Sequence, residues 1–384
     1  MKTAIYPITG DGIHNGHIAI AKEAADVFDK LIIALGNDTN KKRLFSLIER
    51  VEIARQAFRN SLNIEVVAYD GLMVDYMSRV GIFTYIRGFR DTADFEAEMR
   101  LFKINRELNS KVKLILLPAP EYENISSSMI KEVITHGGDV HKYVPLCVKR
   151  KLEENINTQY IVGITGEIAV GKSWLGKRLT TICNGQYLKE AHYIDMDEIA
   201  HYVLSGKSRE NICVETRKRI FNSFSNSTSL VLKNKDTYEI DRENLSKILF
   251  CGNNSWILIP KFNEIMAPAV LYILRQQMKD KEGIIFVDSA LMAECGLSYI
   301  CNNNIILTYC CSDTQKKRLL QRGLSEDLID KRLLTQLTTV QKQATLNRRI
   351  KIDNVGNLWE INTLVDDLHV FLVAKLFPKL GLDN

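Results

Sequence analysis

Proline is scarce in this 384-residue chain, seven residues against 21 glycines, which leaves no room for a collagen-like or Pro-rich disordered protein. The eight cysteines form no CxxC pair, and seven of them fall after residue 180. Scattered thiols without a secretion signal read as reduced and buried rather than as zinc ligands or disulfides. No sign of charge is in excess: 51 basic and 46 acidic residues give +5. Residues 1–155 sum to +1 and the remainder to +4, so neither half has the concentrated basic surface of a nucleic-acid footprint. Short basic runs, at 41–43 and 149–151, read as solvated faces or a small-anion site. No uninterrupted apolar run approaches the roughly 20 residues of a membrane span. The apolar start of the N-terminus breaks at Pro7. The expectation is a cytoplasmic protein with neither nucleic acid nor membrane among its partners.

What is present is an ordinary globular balance, 46% hydrophobic and 25% charged, in a chain long enough for two or three domains. Short apolar runs alternate with amphipathic helical stretches. TAIYPI, KLIIALG, NIEVVAY, IFTYIRG and KLILLPAP are each followed by a helix pattern within the first 150 residues or so. The alternation restarts at YIVGITG and continues through HYIDMDEIAHYV, GIIFVDSALM and NIILTYCCSD, with a helix-rich last 60 residues. Nearly all-apolar strands alternating with helices predict parallel sheets covered on both faces. The expected fold is therefore α/β: two doubly wound domains, residues 1–155 and 156–384. Cys310 and Cys311 read as part of a strand.

His14, Asn15, Gly16 and His17 spell HxGH just before a helix. A helix N-terminus offers unpaired N–H groups and a positive dipole end, which suit phosphate. A glycine admits the nucleotide closely, and imidazoles can donate to phosphate oxygens as charge builds. Arg87 and Arg90 flank a glycine after the fourth strand, and Ser126, Ser127 and Ser128 open a helix after the fifth, either capping it or binding phosphate. Ligands of doubly wound sheets bind at those strand ends.

With these motifs in order, the first half resembles bacterial-type phosphopantetheine adenylyltransferase of the HxGH nucleotidyltransferase superfamily. The resemblance rests on YPIT, NGH, IRGFR, DFEAEM, ISSSMIKEV and GDV. It implies transfer of AMP from ATP to 4′-phosphopantetheine, giving dephospho-CoA and pyrophosphate. By that resemblance Thr9 and Lys41 contact the pantetheine phosphate, and Met73 and Arg87 line the pantetheine side. Thr9, Gly10, His14, Gly88, Arg90, Glu98, Tyr122 and Ser126–Ser128 hold ATP. His17, with Lys41 and Arg90, is catalytic, and magnesium bridges the phosphates. Two departures stand out. Residues 6–12 read YPITGDG where the family has YPGTFDP, so the glycine sits two positions later, and Tyr122 replaces a tryptophan.

Residues 166–173, Gly166, Glu167, Ile168, Ala169, Val170, Gly171, Lys172 and Ser173, match GxxxxGK[ST] between an apolar strand and a helix. In this motif the loop N–H groups cradle phosphate, the lysine reaches the β and γ oxygens, and the serine hydroxyl binds Mg²⁺. Asp195 and Asp197, two apart at a strand end, are expected on one side of it, one as base and the other organising the metal. Arg318 and Arg322 share a helix face near Gln315.

This half resembles dephospho-CoA kinase, which phosphorylates the ribose 3′-hydroxyl of dephospho-CoA to give CoA and ADP. The resemblance assigns Asp197 as base and Lys172 as catalytic, Ser173 and Asp195 to the metal, and residues 166–173 with Arg318 and Arg322 to ATP, the arginines in or beside a lid. Gln336 falls on a following helix. Ala267 stands where the family has histidine, Ala290 interrupts its strand-end motif, and a later lid arginine falls at Lys342 or Ala344.

The expected function is a bifunctional enzyme of coenzyme A biosynthesis with ATP as co-substrate and 4′-phosphopantetheine, dephospho-CoA and CoA as small-molecule partners. Two other readings are a nicotinamide-mononucleotide adenylyltransferase joined to a ribosylnicotinamide kinase, and an adenylyltransferase with a degenerate, regulatory nucleotide-binding half. The first family often forms hexamers, which raises a homo-oligomer through the first half.

Overall fold

The structure, a computed structural model, describes residues 2–37, 43–122, 124–224, 232–234, 236–250, 254–353, 357–362 and 368–382. The chain divides into two compact units between Asn157 and Thr158.

The first unit runs β1 (Thr3–Ile8), α1 (Asn15–Val27), β2 (Lys30–Gly36), α2 (Leu47–Phe58), β3 (Ile64–Tyr69), α3 (Met73–Val80), β4 (Thr84–Phe89), α4 (Thr92–Leu108), β5 (Lys113–Pro118), α5 (Ser127–Thr135) and α6 (Leu146–Ile156). Its sheet is parallel, in the order β3-β2-β1-β4-β5. Ile5 of β1 pairs with Ile32 on one side and Tyr85 on the other. β1 and β2 are buried along nearly their whole length, whereas the edge strands β3 and β5 are half-buried. That gradient follows from helices covering both faces of the middle and only part of the edges. The chain moves outward from β1 to β3, then returns to the other side of β1 as β4. The switch lies between β1 and β4, where crossovers leave in opposite directions and open a crevice.

The second unit begins with β6 (Gln159–Thr165), α7 (Lys172–Gln186), β7 (Ala191–Asp195), α8 (Met196–Leu204), α9 (Asn211–Phe224), β8 (Leu232–Asn234), β9 (Glu239–Ile240), α10 (Arg242–Phe250) and α11 (Ser255–Met278). It continues with β10 (Gly283–Asp288), β11 (Asn304–Tyr309), α12 (Ser312–Gln321), α13 (Glu326–Leu334), α14 (Thr339–Asp353), β12 (Asn357–Asn362), α15 (Leu368–Phe371), a π-helical turn (Leu372–Leu376) and α16 (Phe377–Leu380). The sheet is again parallel, ordered β12-β11-β6-β10-β7. Alternation along the strands splits its apolar residues between two cores. Ile161, Ile285, Val287 and Ile305 face α8, α9 and α11, whereas Val162, Ile164, Phe286 and Ile306 face α7 and the C-terminal helices.

Three features depart from the sequence reading. β12 was not expected, yet it pairs with β11 from Asn304↔Asn357 to Tyr309↔Asn362. β11 stops at Tyr309, and Cys311 is the N-cap of α12 rather than a strand residue. α11 is by length and composition apolar enough to cross a membrane, with mean hydropathy 1.5. It is interrupted by Pro260, Lys261, Glu264, Pro268 and Arg275, and buries Ile265, Met266, Ala269, Val270, Ile273, Leu274 and Met278 in the core. Cys147, Cys183 and Cys213 are buried thiols, and burial pushes Cys147 up to about 11 and Cys183 up to about 12.

The helical layer beside β7 is tied by one fully buried cation. Arg217 donates to the carbonyls of Thr237 (2.9 Å), Val203 (2.8 Å) and Ser208 (2.8 Å). Arg217→Met leaves two buried carbonyls, of Val203 and Ser208, and the half-buried one of Thr237 without this donor, at about 1–3 kcal/mol for each buried group. Scanning calorimetry should show the second unit's transition falling by roughly 5–10 °C; an unchanged midpoint would contradict the hub.

Candidate functional site

The first site starts where β1 ends. Pro7 and Ile8 stay in register with Ala34 and Leu35, so Ile8 simply continues the strand. The turn is made instead by Gly10 (φ +72°) and Gly12 (φ +102°), both in the left-handed region that glycine adopts without strain. A Cβ on Gly10 would come within 2.4 Å of Leu35 Cδ2. The displaced glycine thus still produces a tight turn. Buried Arg50 ties the ends of β1 and β2 by donating to the carbonyls of Thr9 (2.6 Å) and Gly36 (3.0 Å). Asp11 accepts the N–H groups of Leu44 (3.1 Å) and Phe45 (3.0 Å) and the ammonium of Lys131. Burial works against its charge, yet these donors together hold its carboxyl below the usual range.

A cavity of about 410 Å³ opens at the C-terminal ends of β1 and β4. Thr9, Gly10, His14, His17, Arg87, Gly88, Arg90, Glu98, Tyr122 and Ser126–Ser128 all line it. The N-termini of α1 and α5 both contribute, and neither carries an acidic residue in its first turn. Two helix dipoles therefore point positive ends at one space.

His14 is the N-cap of α1, and its backbone N–H donates to His17 Nδ1 (3.2 Å). That bond makes Nδ1 an acceptor and leaves the ring proton of His17 on Nε2, as a donor. Burial drives the His17 pKa well below 6.5, with help from neighbouring His14, Arg87 and Arg90. Burial likewise lowers His14 to about 4, with Arg90 adding to the effect. Both rings, 3.8 Å apart, are neutral at physiological pH.

Arg87 lies on β4 itself rather than on a loop. Its guanidinium grips Glu98 of α4 at 2.9 and 2.6 Å and donates to the Pro7 carbonyl at 2.7 Å. Arg90 pairs with Asp94 (2.8 Å) and donates to the Ile125 carbonyl (3.1 Å). Both arginines are thus oriented before any ligand arrives. Ser126 Oγ caps α5 by accepting from Met129 N–H (3.2 Å), and Ser127 Oγ donates to the Gly12 carbonyl (2.9 Å). Two of the three serine hydroxyls therefore shape the site, and the helix N-terminus they fix is what faces the cavity. Met73 opens α3, packs on the neighbouring core and is not among the cavity's lining residues. Lys41 lies outside the described residues. Arg43 and Lys131 line the cavity and were not singled out, because a lone cation in a helix or a basic run carries no distinguishing pattern.

In the second unit the loop 166–171 joins β6 to α7. Gly166 (φ +154°) lies so close to β11 that a Cβ would meet the Thr308 carbonyl at 2.2 Å. Lys172 Nζ bends back onto the Glu167 carbonyl (3.0 Å), and burial lowers its pKa although Asp288, Asp197 and Asp195 oppose this. The loop is braced from outside. Gln336 Oε1 accepts from Ile168 N–H (3.1 Å), Gln315 donates to the Ile168 carbonyl (2.8 Å), and Arg318 donates to the Ala169 carbonyl (3.1 Å). The Glu167 carboxylate accepts both the N–H (2.6 Å) and the hydroxyl (2.8 Å) of Thr339. Arg318 thus braces the loop, and Gln336 lies in the link between α13 and α14 rather than on a helix. Arg322 is the C-cap of α12, exposed, and close enough to Lys172 to lower its pKa further.

Asp195 and Asp197 do not share a strand side. β7 ends at Asp195, which caps α8 by accepting from Asp197 N–H (2.8 Å) and Glu198 N–H (3.3 Å). Asp197 lies in the first turn of α8, open to solvent on one side. Desolvation on its other side, then Asp195, raise its pKa. The carboxylate nearest the Ser173 hydroxyl is Asp288, at the end of β10 (2.9 Å). Burial pushes Asp288 up to about 6 against the pull of Lys172. The sequence reading touched Asp288 only through its strand-end motif, which Ala290 interrupts. Its place at the end of GIIFVD, beside the phosphate-loop strand, was the available signal. Ser173 Oγ and the Asp288 carboxylate are hard oxygens, the donor type Mg²⁺ takes. No cluster of three or more His, Cys, Asp or Glu fit for a metal occurs among the described residues, so most ligands would come from nucleotide and water.

The lid arginine is found at neither candidate position. Lys342 is fully buried on α14, where it pairs with Glu294 and donates to the Ala290 carbonyl (2.7 Å); Ala344 is exposed.

Comparison with known proteins bears on both sites. A family model described as cytidylyltransferase-like matches residues 9–133, and the dephospho-CoA kinase model matches residues 160–360, more than half of the chain. Phosphopantetheine adenylyltransferase of Vesicomyosocius okutanii is 38% identical over 156 residues, 40% of this chain and 99% of that protein. The enzyme of Caldanaerobacter subterraneus is 39% identical over 155 residues, 40% of this chain and 97% of that protein. The chain belongs to both families. Its first unit is a phosphopantetheine adenylyltransferase-family domain and its second a dephospho-CoA kinase-family domain. The pair makes it a bifunctional nucleotidyltransferase and kinase of coenzyme A biosynthesis, with ATP as co-substrate. A solved structure of NadR protein in complex with NR aligns over 96% of this chain and 90% of that chain, at 13% identity and a TM-score of 0.33, too loose to bear on either site. The nicotinamide pairing is not favoured.

Proposed function

We propose that the two units act in succession: 4′-phosphopantetheine takes AMP from ATP in the first, and the dephospho-CoA formed is phosphorylated on its ribose 3′-hydroxyl in the second. The observation that carries this reading is the order of two families in one chain, the product of one being the substrate of the next. In the first step a phosphate oxygen of phosphopantetheine attacks the α-phosphorus of ATP, and the bond to pyrophosphate breaks. The nucleophile is already anionic, so no general base is needed, and catalysis is positioning plus charge stabilisation. His17 Nε2–H, Arg87, Arg90 and the N-termini of α1 and α5 supply the donors. Thr9 and Lys41 are assigned to the pantetheine phosphate and Met73 to the pantetheine arm; Gly10, His14, Gly88, Glu98, Tyr122 and Ser126–Ser128 surround ATP.

In the second step the 3′-hydroxyl gives its proton to Asp197 as its oxygen attacks the γ-phosphorus, and ADP leaves. The loop 166–173 and Lys172 hold the phosphates, with Arg322 nearby and Arg318 bracing the loop. Ser173 and Asp288, with Asp195 behind them, would hold Mg²⁺, which when bound neutralises phosphate charge. A cytoplasmic location is part of this reading, consistent with the buried thiols.

Incubation with phosphopantetheine and ATP should yield pyrophosphate, dephospho-CoA, ADP and CoA. Turnover of nicotinamide mononucleotide alone would refute the first assignment, and an end-point at dephospho-CoA the second.

Self-association through the first unit belongs to the same proposal. α4 leaves Leu101, Ile104 and Leu108 on one exposed stripe, 45–57% accessible, which a second copy would cover. Light scattering should give a multiple of 43.8 kDa for the native chain and the monomer mass for Ile104→Lys. A monomeric native chain would overturn this.

A further inference from the structure

Tyr193 occupies the kinase site without a place in the mechanism above. It precedes Asp195 by two on β7, so the two side chains share a face. Its neighbour across the sheet, Phe286, precedes Asp288 by two, and Asp288 pairs in register with Asp195. The Tyr193 hydroxyl lies 2.8 Å from Asp288 Oδ2 and 3.3 Å from Asp195 Oδ2, and the Ser173 hydroxyl reaches the same Asp288 oxygen at 2.9 Å. The hydroxyl has one proton, and the shorter contact takes it.

A second observation is steric. Gly176, inside α7, is where a Cβ would lie 2.4 Å from Tyr193 Cε2 and 2.6 Å from Cδ2. Glycine weakens a helix interior relative to alanine, and here its absent side chain is the space the ring fills. Lys177 Nζ lies 5.6 Å from the same ring.

We propose that Tyr193 is a positioning residue for the metal–nucleotide complex, aiming Asp288 toward Ser173, with Gly176 admitting its ring. This rests on the kinase reading of the second unit. A neutral donor suits the task. A lysine or arginine in its place would also orient the carboxylate, but its charge would compete with the divalent cation for it. The hydroxyl orients Asp288 and leaves its charge available.

The test uses the full chain with ADP and Mn²⁺ as a paramagnetic probe, free Mn²⁺ being read by electron paramagnetic resonance. Tyr193→Phe keeps the ring and should weaken Mn²⁺ in the ternary complex about tenfold, the low end for partners that orient metal ligands. ADP affinity without metal and the unfolding midpoint should not move. Excess Mg²⁺ should restore kcat of the kinase step, which a folding defect would not allow. Gly176→Ala should show the same loss, and the double variant no more than either single one. Native-like Mn²⁺ affinity in Tyr193→Phe, or full additivity of the two losses, would overturn the proposal. If the native chain binds ADP no more tightly with Mn²⁺ than without, the kinase reading itself falls.

Discussion

Replacing His17 by alanine is expected to slow pyrophosphate release about 10²–10³-fold, the scale for removing one preorganised donor to developing charge. The kinase step on supplied dephospho-CoA should be unaffected, because His17 and the phosphate loop lie in separate units. The reason for so large an effect is the state in which the ring is held. Its Nδ1 is occupied by the His14 N–H, so Nε2 carries the proton. Burial, with His14 and the two arginines adding to it, keeps the ring neutral. A neutral donor needs no protonation to act. A group whose pKa lies well below 6.5 does not change charge as pH rises from 6 to 8. The kcat/KM profile of adenylyl transfer, which reports the free enzyme, should therefore show no histidine limb in that interval. A limb lost by His17→Asn would show that a protonated imidazole acts instead.

Asp197→Ala should stop the chain at dephospho-CoA, lowering the kinase step about 10²–10⁴-fold, the range for general base catalysis. Product analysis during the coupled reaction reads this directly: pyrophosphate and dephospho-CoA accumulate while CoA and ADP do not. Continued CoA formation would remove Asp197 from the mechanism. The pH dependence has a definite direction. Desolvation first, and Asp195 second, raise the Asp197 pKa. A base works only when deprotonated, so the acid limb of kcat/KM should lie above the pKa of an ordinary aspartate. Asp195→Asn removes one of the charges that raise it and should move the limb toward lower pH, while weakening the cap on α8. An unmoved limb would assign the titration elsewhere.

Much of the architecture was legible because it is local. Short apolar runs such as KLIIALG and GIIFVD, alternating with longer amphipathic stretches, read as strands buried on both faces joined by helical crossovers. HxGH and GxxxxGKS were legible for a related reason: a phosphate site made of one turn and one helix N-terminus is contiguous in sequence. β12 was missed because NLWEIN follows a long helix and acquires its partner only from β11, more than 50 residues earlier. Asp195 and Asp197 were misplaced because period-two reasoning assumes that a strand continues. Here the helix starts at Met196, and Asp195 is consumed in capping it.

The sequence by itself determined two parallel α/β units and the two families, through motifs spread along each half, and the turns and helix starts that hold phosphate, each set by neighbouring residues. Tertiary structure decided what each charged side chain is bonded to. Arg87 is held by Glu98 and Pro7, Arg318 donates to the Ala169 carbonyl of the phosphate loop, and Lys342 is buried against Glu294. Asp288 and Tyr193, 95 positions apart, meet at the kinase site because β10 lies between β6 and β7. Strand order places them together, and strand order is set by how the apolar faces of distant segments pack, which no local pattern records.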